Sequence, residues 1–212
     1  SLNWYKTDLS TISYDGLGLG FQWGLDLEYK LNNIASLYTG LKLANDNGSL
    51  VFRTQDSVGY RINDKDEFVA DTTLNFNILT NRNYRANYVT IPIGVKMKTD
   101  EIGYLTYFGQ FGLLTSIRTK AKSNDVILAD LTNSVNKEKL NIDDDMQLFK
   151  MQLSVGGGAE YNMSGSTSLV FGINYNLGFT NVLKKDSKHI ENYNSSEAFK
   201  QSATAHNVML TV

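Results

Sequence analysis

The stretch that decides the fold covers residues 17–31 and reads Leu-Gly-Leu-Gly-Phe-Gln-Trp-Gly-Leu-Asp-Leu-Glu-Tyr-Lys-Leu. Every odd-numbered position is a large apolar or aromatic residue, and every even-numbered position is Gly, Gln, Asp, Glu or Lys. A period of two predicts a β-strand. An ordinary strand has about 5–6 residues, and this alternation lasts nearly three times as long. At about 3.3 Å per residue it spans about 50 Å, so even a strand tilted by about 45° exceeds the roughly 25 Å apolar band of an outer-membrane barrel.

The composition excludes several classes of protein. The 212 residues suit one all-β domain, which we expect to cover 1–212. The net charge of −2 gives no electrostatic case for nucleic acid, and the absence of cysteine excludes disulfides and thiolate metal sites. The chain contains no run of about 18 apolar residues, so the sequence predicts no membrane helix. A membrane β-barrel stays possible, because half of each barrel strand is polar. Because Ser1 starts no signal peptide, we expect the chain to be mature or trimmed at both ends.

The same alternation recurs along the chain and predicts eight strands. We therefore expect an all-β fold, an eight-stranded antiparallel up-and-down transmembrane β-barrel. The strands are predicted at residues 2–7, 17–31, 35–44, 88–98, 104–118, 149–163, 169–183 and 207–212.

The connections between these strands alternate in length. Short ones are predicted at residues 32–33, 99–103 and 164–166, and long ones at 8–16, 45–87, 120–145 and 184–204. Short periplasmic turns and long outer loops are typical of bacterial outer-membrane barrels. Both termini are then periplasmic, and the long extracellular loop 45–87 has room for its own hairpin.

The alternation alone does not say which face is outside, because a soluble ligand-binding barrel would turn the apolar face inward. The glycine-rich polar face suits a narrow eight-stranded interior, and aromatic residues near the strand ends suit membrane interfaces. We therefore predict that the apolar face meets outer-membrane lipid and lipopolysaccharide. The lipid-facing residues are predicted to be Leu19, Phe21, Trp23, Leu25, Leu27, Ile91, Ile93, Val95, Phe111, Leu113, Leu153, Val155, Phe171, Ile173 and Tyr175.

The opposite face carries charges of both signs, which this orientation points into the lumen. Buried charges are tolerated when they are paired and hydrogen-bonded. The mixture therefore predicts an internal polar network that plugs the barrel, with a selectivity filter or proton path as the alternative. Its predicted members are Asp26, Glu28, Lys30, Lys42, Lys96, Arg118, Lys150 and Glu160.

Four segments resemble one known family. Residues 88–96, Tyr-Val-Thr-Ile-Pro-Ile-Gly-Val-Lys, are similar to a strand of the small outer-membrane β-barrel domains common in Bacteroidetes, called porin-like or PorT-like. Residues 104–114, 156–161 (Gly-Gly-Gly-Ala-Glu-Tyr) and 174–181 (Asn-Tyr-Asn-Leu-Gly-Phe-Thr-Asn) resemble three further strands. The first lacks the family's proline in its segment 109–112, and Asn174 replaces a frequent basic residue. The resemblance implies a barrel in the outer membrane. Its members range from uncharacterised barrels to a component of the type IX secretion system.

The residues that could carry chemistry are few. His189, with Asp186 and Ser187, and His206 are candidates for a rim hydrolase or acyltransferase, but neighbours in sequence do not make a triad, and solvated residues are the simpler interpretation. The acidic run at residues 143–145 could bind a divalent cation beside lipopolysaccharide phosphates, or form a solvated rim. Residues 56–58 and 71–73 resemble Asp-Ser/Thr O-glycosylation sites of Bacteroidetes, a hypothesis that an intact mass equal to the sequence mass would reject.

The sequence therefore predicts a non-enzymatic outer-membrane barrel without cofactor or metal. It would act as a structural or interaction protein, or as a protein complex subunit of the cell envelope. The alternatives are a small porin-like channel and, further behind, a rim enzyme.

Overall fold

The computed structural model describes residues 1–53, 58–130, 133–164, 167–193 and 197–212, which form one antiparallel sheet. The prediction of an all-β antiparallel fold is confirmed. Within the described ranges, no helix has the length and apolar character needed to cross a membrane. The strands are β1 (Leu2–Lys6), β2 (Ile12–Tyr14), β3 (Gly18–Leu19), β4 (Phe21–Lys30), β5 (Ala35–Phe52), β6 (Val58–Tyr60), β7 (Asn77–Lys98), β8 (Leu105–Asp130), β9 (Asn133–Asn141), β10 (Phe149–Ser164), β11 (Thr167–Gly178), β12 (Asp186–Asn192), β13 (Ala198–Lys200) and β14 (Thr204–Thr211).

The predicted count of eight strands is wrong, because the described residues form fourteen. The main reason is that β5, β7 and β8 continue past their predicted ends, to 18, 22 and 26 residues. The loop predicted at 45–87 thus begins and ends in strand, since 45–52 belong to β5 and 77–87 to β7. The added parts of these strands pair with β2, β6 and β9, three short strands that the sequence pattern did not predict. Two more strands, β12 and β13, extend the sheet beyond β6.

The deciding stretch is split into β3 and β4 at Gly20. Gly20 exchanges two backbone hydrogen bonds with Ser1, each 2.8 Å long. A Cβ atom on Gly20 would lie 2.2 Å from the side-chain amide of Asn3. A residue without a side chain therefore lets the first residues of the chain approach this point.

Nine strands follow one another in the ladder order β4–β5–β7–β8–β10–β11–β14–β1–β3. Among the described residues, β4 pairs with β5 alone and β3 with β1 alone. The ladders by themselves consequently leave the sheet unclosed. Its two open ends, β3 and β4, are separated in sequence by Gly20 only.

One part of the sheet, which we call the belt level, exposes its apolar side chains. It consists of β3, β4, β10, β11 and the shared segments 35–43, 89–98 and 105–117 of β5, β7 and β8. On its outer face Trp23 is 62% exposed and Leu25 78% exposed. Its inner face is polar and buried, as at Thr90, Ser116 and Gln152.

The other part, the cap level, has the opposite polarity. It consists of residues 44–52 of β5, 77–88 of β7 and 118–130 of β8, together with β2, β6, β9, β12 and β13. Here the inner face is an apolar core in which Leu50, Leu79 and Ile142 are fully buried. The outer face is polar, with Arg85 and Lys120 exposed. The same three strands thus bury polar groups at one end and apolar groups at the other.

Candidate functional site

The interior of the belt level holds a cluster of two lysines and two glutamates. Lys96 Nζ lies 2.5 Å from Glu160 Oε1 and 3.4 Å from Glu28 Oε2. Lys98 Nζ lies 2.8 Å from Glu28 and 3.1 Å from Glu160. Each cation therefore meets both carboxylates, so the cluster carries no net charge and every member has an opposite partner. Pairing of this kind offsets much of the desolvation free energy that buried charges cost.

Two further ion pairs lie along the same interior. Lys42 Nζ is 2.8 Å from Asp26 Oδ2. Lys150 is paired with Asp46, and its ammonium group lies 4.2 Å from the centre of the Tyr88 ring. Arg and Lys over aromatic faces gain additional electrostatic stabilisation. The charges thus extend from the lower end of the interior to the boundary with the cap level.

Between these charges, neutral polar side chains bond to one another across neighbouring strands. The hydroxyls of Thr90 and Ser116 are 2.8 Å apart. The amide of Asn176 donates to Asn207 Oδ1 at 2.6 Å, and Gln152 donates to the backbone of Ala205 at 2.9 Å. Buried polar groups satisfied in this way rigidify a core.

A cavity of about 550 Å³ opens within the belt-level interior. Its walls include the Lys96 cluster, and the ring of Phe108 lies 4.2 Å from Lys96 Nζ. Tyr38 crosses the interior over Gly94 and Gly112, where an added Cβ atom would lie 2.6 Å from the Tyr38 side chain. The Tyr38 side chain therefore occupies part of the interior beside this cavity.

The structure places six of the eight predicted network residues on this inner face. They are Asp26, Glu28, Lys42, Lys96, Lys150 and Glu160. Arg118 lies opposite Tyr88 at the boundary with the cap level and is paired with Asp143 in the connection before β10. Lys30 is exposed at the end of β4. Sequence reasoning missed Lys98 and Asp46, although both continue the even-numbered alternation of their strands.

The predicted lipid-facing residues all lie on the outer face of β3, β4 and the other belt-level strands. Val95 and Leu113 are half-buried between their neighbours. The remaining thirteen are exposed by 38% or more. Water would be a poor solvent for so wide an apolar surface.

The cap level contains a second, drier charged cluster that the sequence did not predict. Arg82 Nη2 donates to Asp125 Oδ2 at 2.6 Å, and Arg82 Nε donates to both oxygens of the same carboxylate. The two residues are direct cross-strand partners on β7 and β8, and both side chains are fully buried. Asp145 Oδ2 lies 3.7 Å from Arg82 Nη1 and is also fully buried.

His189 connects this cluster to the surface. Its Nδ1 lies 2.9 Å from Asp145 Oδ2, and its ring stacks on Phe68 with centroids 4.3 Å apart. Ser187 Oγ donates to the other oxygen of Asp145 at 2.9 Å. A cleft of about 400 Å³ lies beside these residues. Burial by itself raises the pKa of the Asp145 carboxyl, but the His189 hydrogen bond and the Arg82 charge outweigh burial and hold that pKa below its ordinary value.

The interpretation of the two histidines, Ser187 and the acidic run as solvated residues is wrong for four of them, since Ser187 and His206 are also buried. His189 lies on β12 and is stacked on Phe68, and Asp145 is fully buried. Asp143 is paired with Arg118, and Asp144 lies 3.5 Å from Lys188. In the described part of the chain, no group of three or more His, Asp or Glu side chains is arranged to hold a metal ion.

The other candidates fall in different places. His206 faces outward on β14 and stacks on Trp4, with centroids 5.9 Å apart. Asp186 is exposed at the start of β12. Thr73 donates to Asp71, and both are exposed. Asp56 and Ser57 lie outside the described residues.

Sequence reasoning had only a weak signal for the Arg82 cluster. Arg82 and Asp125 are 43 residues apart, and Asp145 and His189 are 44 apart, so only the pairing of β7 with β8 and the return of β12 bring them together. A weak hint was available, since Arg82 and Asp125 both sit at apolar-facing positions of alternating segments.

Comparison with known proteins gives one match. A family model described as an outer membrane protein beta-barrel domain matches residues 1–184, which include β1 to β11. No curated protein matches the chain, and no solved structure does.

Proposed function

Because the chain belongs to the outer membrane protein β-barrel domain family, we propose that it is a non-enzymatic integral barrel whose belt level anchors the cap level in the outer membrane. The cap level then acts as a structural or interaction module, alone or as a subunit of a larger envelope or secretion complex. The observation that carries this proposal is the reversal of polarity along β5, β7 and β8. Such a reversal fits strands that begin in lipid and end in water.

The strand register supports a wall whose two open ends, β3 and β4, belong to one alternating stretch of sequence. From Tyr29 on β4 the directly paired residues are Leu37, Val95, Phe111, Val155, Tyr175, Val208, Leu2 and finally Leu19 on β3. This series of paired residues starts at position 29 and ends at position 19, so it returns to the stretch 17–31 displaced by ten residues. A displaced return of this kind is the shear that a barrel of tilted strands requires.

The unequal ends support an orientation with both termini in the periplasm. At one end β4 and β5 are joined by a tight connection in which Asn32 accepts hydrogen bonds from Ile34 and Ala35. At the other end lie the long strand extensions and the five short strands. Short periplasmic turns and long outer segments are typical of this class of protein.

The filled interior supports a structural role over a conducting one. The ion pairs of Lys96, Lys42 and Lys150 cross the belt-level interior, and the apolar core closes it above. One observation favours the alternative of a small porin-like channel, namely the cavity of about 550 Å³ beside the Lys96 cluster. Elsewhere in this interior, side chains such as that of Tyr38 fill the space.

The geometry around His189 does not resemble a hydrolase relay. In a triad the nucleophilic hydroxyl bonds to the imidazole, and the carboxylate bonds to its other nitrogen. Here Ser187 and His189 both bond to Asp145 instead. This arrangement supports a structural use of the three residues.

Planar-bilayer recording of the refolded protein tests the proposal. We expect no stable unit conductance from the unmodified chain. Steady unit currents that change after Lys96→Glu, and do not change after Lys65→Glu on an exposed turn, would establish the channel and reject the plug.

Partner capture tests the interaction role. We expect stably bound protein chains to co-purify with the barrel from native outer membranes in mild detergent. A chain recovered without partners, yet fully folded in the membrane, would leave only the structural role.

A further inference from the structure

A groove of about 300 Å³ runs across the outer wall at the upper edge of the belt level, where β4, β5, β7 and β8 meet. Its lower wall is apolar and aromatic, and its upper wall is polar. The lower wall is formed by Phe21, Trp23 and Leu43, and the upper wall by Asn45, Asn87 and Thr119. A groove with this division suits a molecule that is apolar at one end and polar at the other.

Three cationic residues lie on β7 and β8 next to the polar wall of this groove. Lys120 is the direct cross-strand partner of Asn87, and Arg85 and Lys122 face each other one step higher on β7 and β8. Arg85 lies two residues beyond Asn87 on the same face, a distance of about 7 Å. We call Arg85, Lys120 and Lys122 the basic collar.

Among the described residues, the basic collar has no anionic partner. In the described residues no carboxylate is within ion-pair distance of its three side chains. Two carboxylates of these strand segments, Asp46 and Asp125, are buried on the inner face. Asp143, which accepts a hydrogen bond from the backbone of Ala121, is paired with Arg118.

Like charges placed directly opposite each other on neighbouring strands are destabilising. Arg85 and Lys122 occupy such positions, and the outward residues around them are asparagines, as at Asn47, Asn83 and Asn124. An anion seated between the two cations would remove the repulsion. Arginine matches phosphate oxygens with two parallel hydrogen bonds, and lysine adds a point charge.

We propose that the groove and the basic collar together bind one lipopolysaccharide molecule of the outer leaflet. Its acyl chains lie against Phe21, Trp23 and Leu43, and its headgroup phosphates bind Arg85, Lys120 and Lys122. The inference rests on the proposed function, because it requires the cap level to face outward. The position of the two features supports the proposal. The basic collar starts at the edge of the belt level where the groove lies, so one molecule can contact both.

Native mass spectrometry of the full chain in detergent tests the site, with purified lipopolysaccharide as the probe. The test variant is Arg85→Gln/Lys120→Gln/Lys122→Gln. The control variant, Lys65→Gln/Lys185→Gln/Lys200→Gln, removes the same charge from exposed positions on β13 and on the connections that precede β7 and β12. Each basic residue beside an anionic lipid strengthens binding about fivefold, so we expect the test variant to bind at least about tenfold more weakly. The control should bind as the unmodified chain does.

Two more measurements separate the alternatives. In a Trp4→Phe background, the fluorescence of Trp23 should shift on adding lipopolysaccharide, because Trp23 lines the groove. Dephosphorylated lipopolysaccharide and inorganic phosphate alone should each bind far more weakly than the intact lipid. Equal binding by the test variant, by the dephosphorylated lipid or by phosphate alone would overturn the proposal.

Insertion into phospholipid vesicles is measured on the same preparations. A chain that inserts but shows no preference for lipopolysaccharide contradicts this inference and leaves the proposed function intact. A chain that stays in solution without detergent contradicts both.

Discussion

The belt level and the cap level share the strands β5, β7 and β8, yet their inner and outer faces have opposite polarity. At the belt level Leu25 and Ile93 point outward and Thr90 and Ser116 point inward. At the cap level Leu50 points inward, and the outer positions are asparagine, arginine and lysine. The difference teaches that the surrounding solvent, not the β-sheet itself, decides which face of a strand is apolar.

The two levels also treat charge differently. The Lys96 cluster borders a cavity, and the side chains of Glu28 and Lys98 keep 30% and 24% of their surface exposed. Arg82 and Asp125 are entirely enclosed by the apolar core. A dry pair depends on its partner much more strongly than a wet one does.

Removing the central cation of the cap level should have the largest effect on stability. Arg82→Met leaves Asp125 and Asp145 buried without their shared partner. Breaking a buried pair of this kind costs about 3–5 kcal/mol of unfolding free energy. Urea unfolding of the vesicle-inserted protein, followed by tryptophan fluorescence, measures the loss.

The double variant Arg82→Met/Asp125→Leu is the control, because it removes both charges of the closest pair. It should recover part of the lost stability, since apolar residues often replace a buried pair without penalty. A double variant less stable than Arg82→Met alone would show that the ion pair is not what stabilises the cap.

Placing a charge on the lipid face should have the next largest effect. Leu25→Arg puts a cation on the most exposed apolar position of β4, and an arginine at the membrane midplane costs about 2–4 kcal/mol. Vesicle insertion and urea unfolding both report it. Asn33→Arg, on the exposed turn after β4, should change neither measurement. Equal effects of the two substitutions would mean that the apolar face does not meet lipid.

The smallest expected effect is a dependence on acid. Because the pKa of Asp145 is held below its ordinary value in the folded state, its stabilising contribution is present above the unfolded pKa of about 4. The contribution is lost as the pH falls through the lower folded value. Stability should therefore decline below about pH 4, and Asp145→Asn should decline less steeply. An identical slope in both proteins would assign the acid sensitivity to other groups.

Much of the belt level could be predicted from local pattern. Each of the eight alternating segments coincides with strand over most of its length, although the second is split at Gly20 and three continue further, and the parity agrees with the exposure of most of the predicted apolar residues. The network members Asp26, Glu28 and Glu160 follow from that parity alone. Their partners do not, because which lysine meets which glutamate depends on the register between β4, β7 and β10.

The cap level could not be predicted in this way. Residues 77–87 alternate, but their inward residues include Arg82, which broke the expected pattern of an apolar face. Short strands such as β6 and β13 have three residues each and carry no measurable period. Pairing with a longer neighbour creates them, so their signal lies in the sheet and not in their own sequence.

The sequence by itself determined the β class, the long alternating strands and the apolar face that suits lipid, because a period of two depends only on the geometry of the extended backbone. Only the tertiary structure decided the reversal of polarity at the cap, the partners of each buried charge and the meeting of a groove with the basic collar. These features join residues far apart in the chain, and their positions depend on strand register, which local side-chain preferences do not fix.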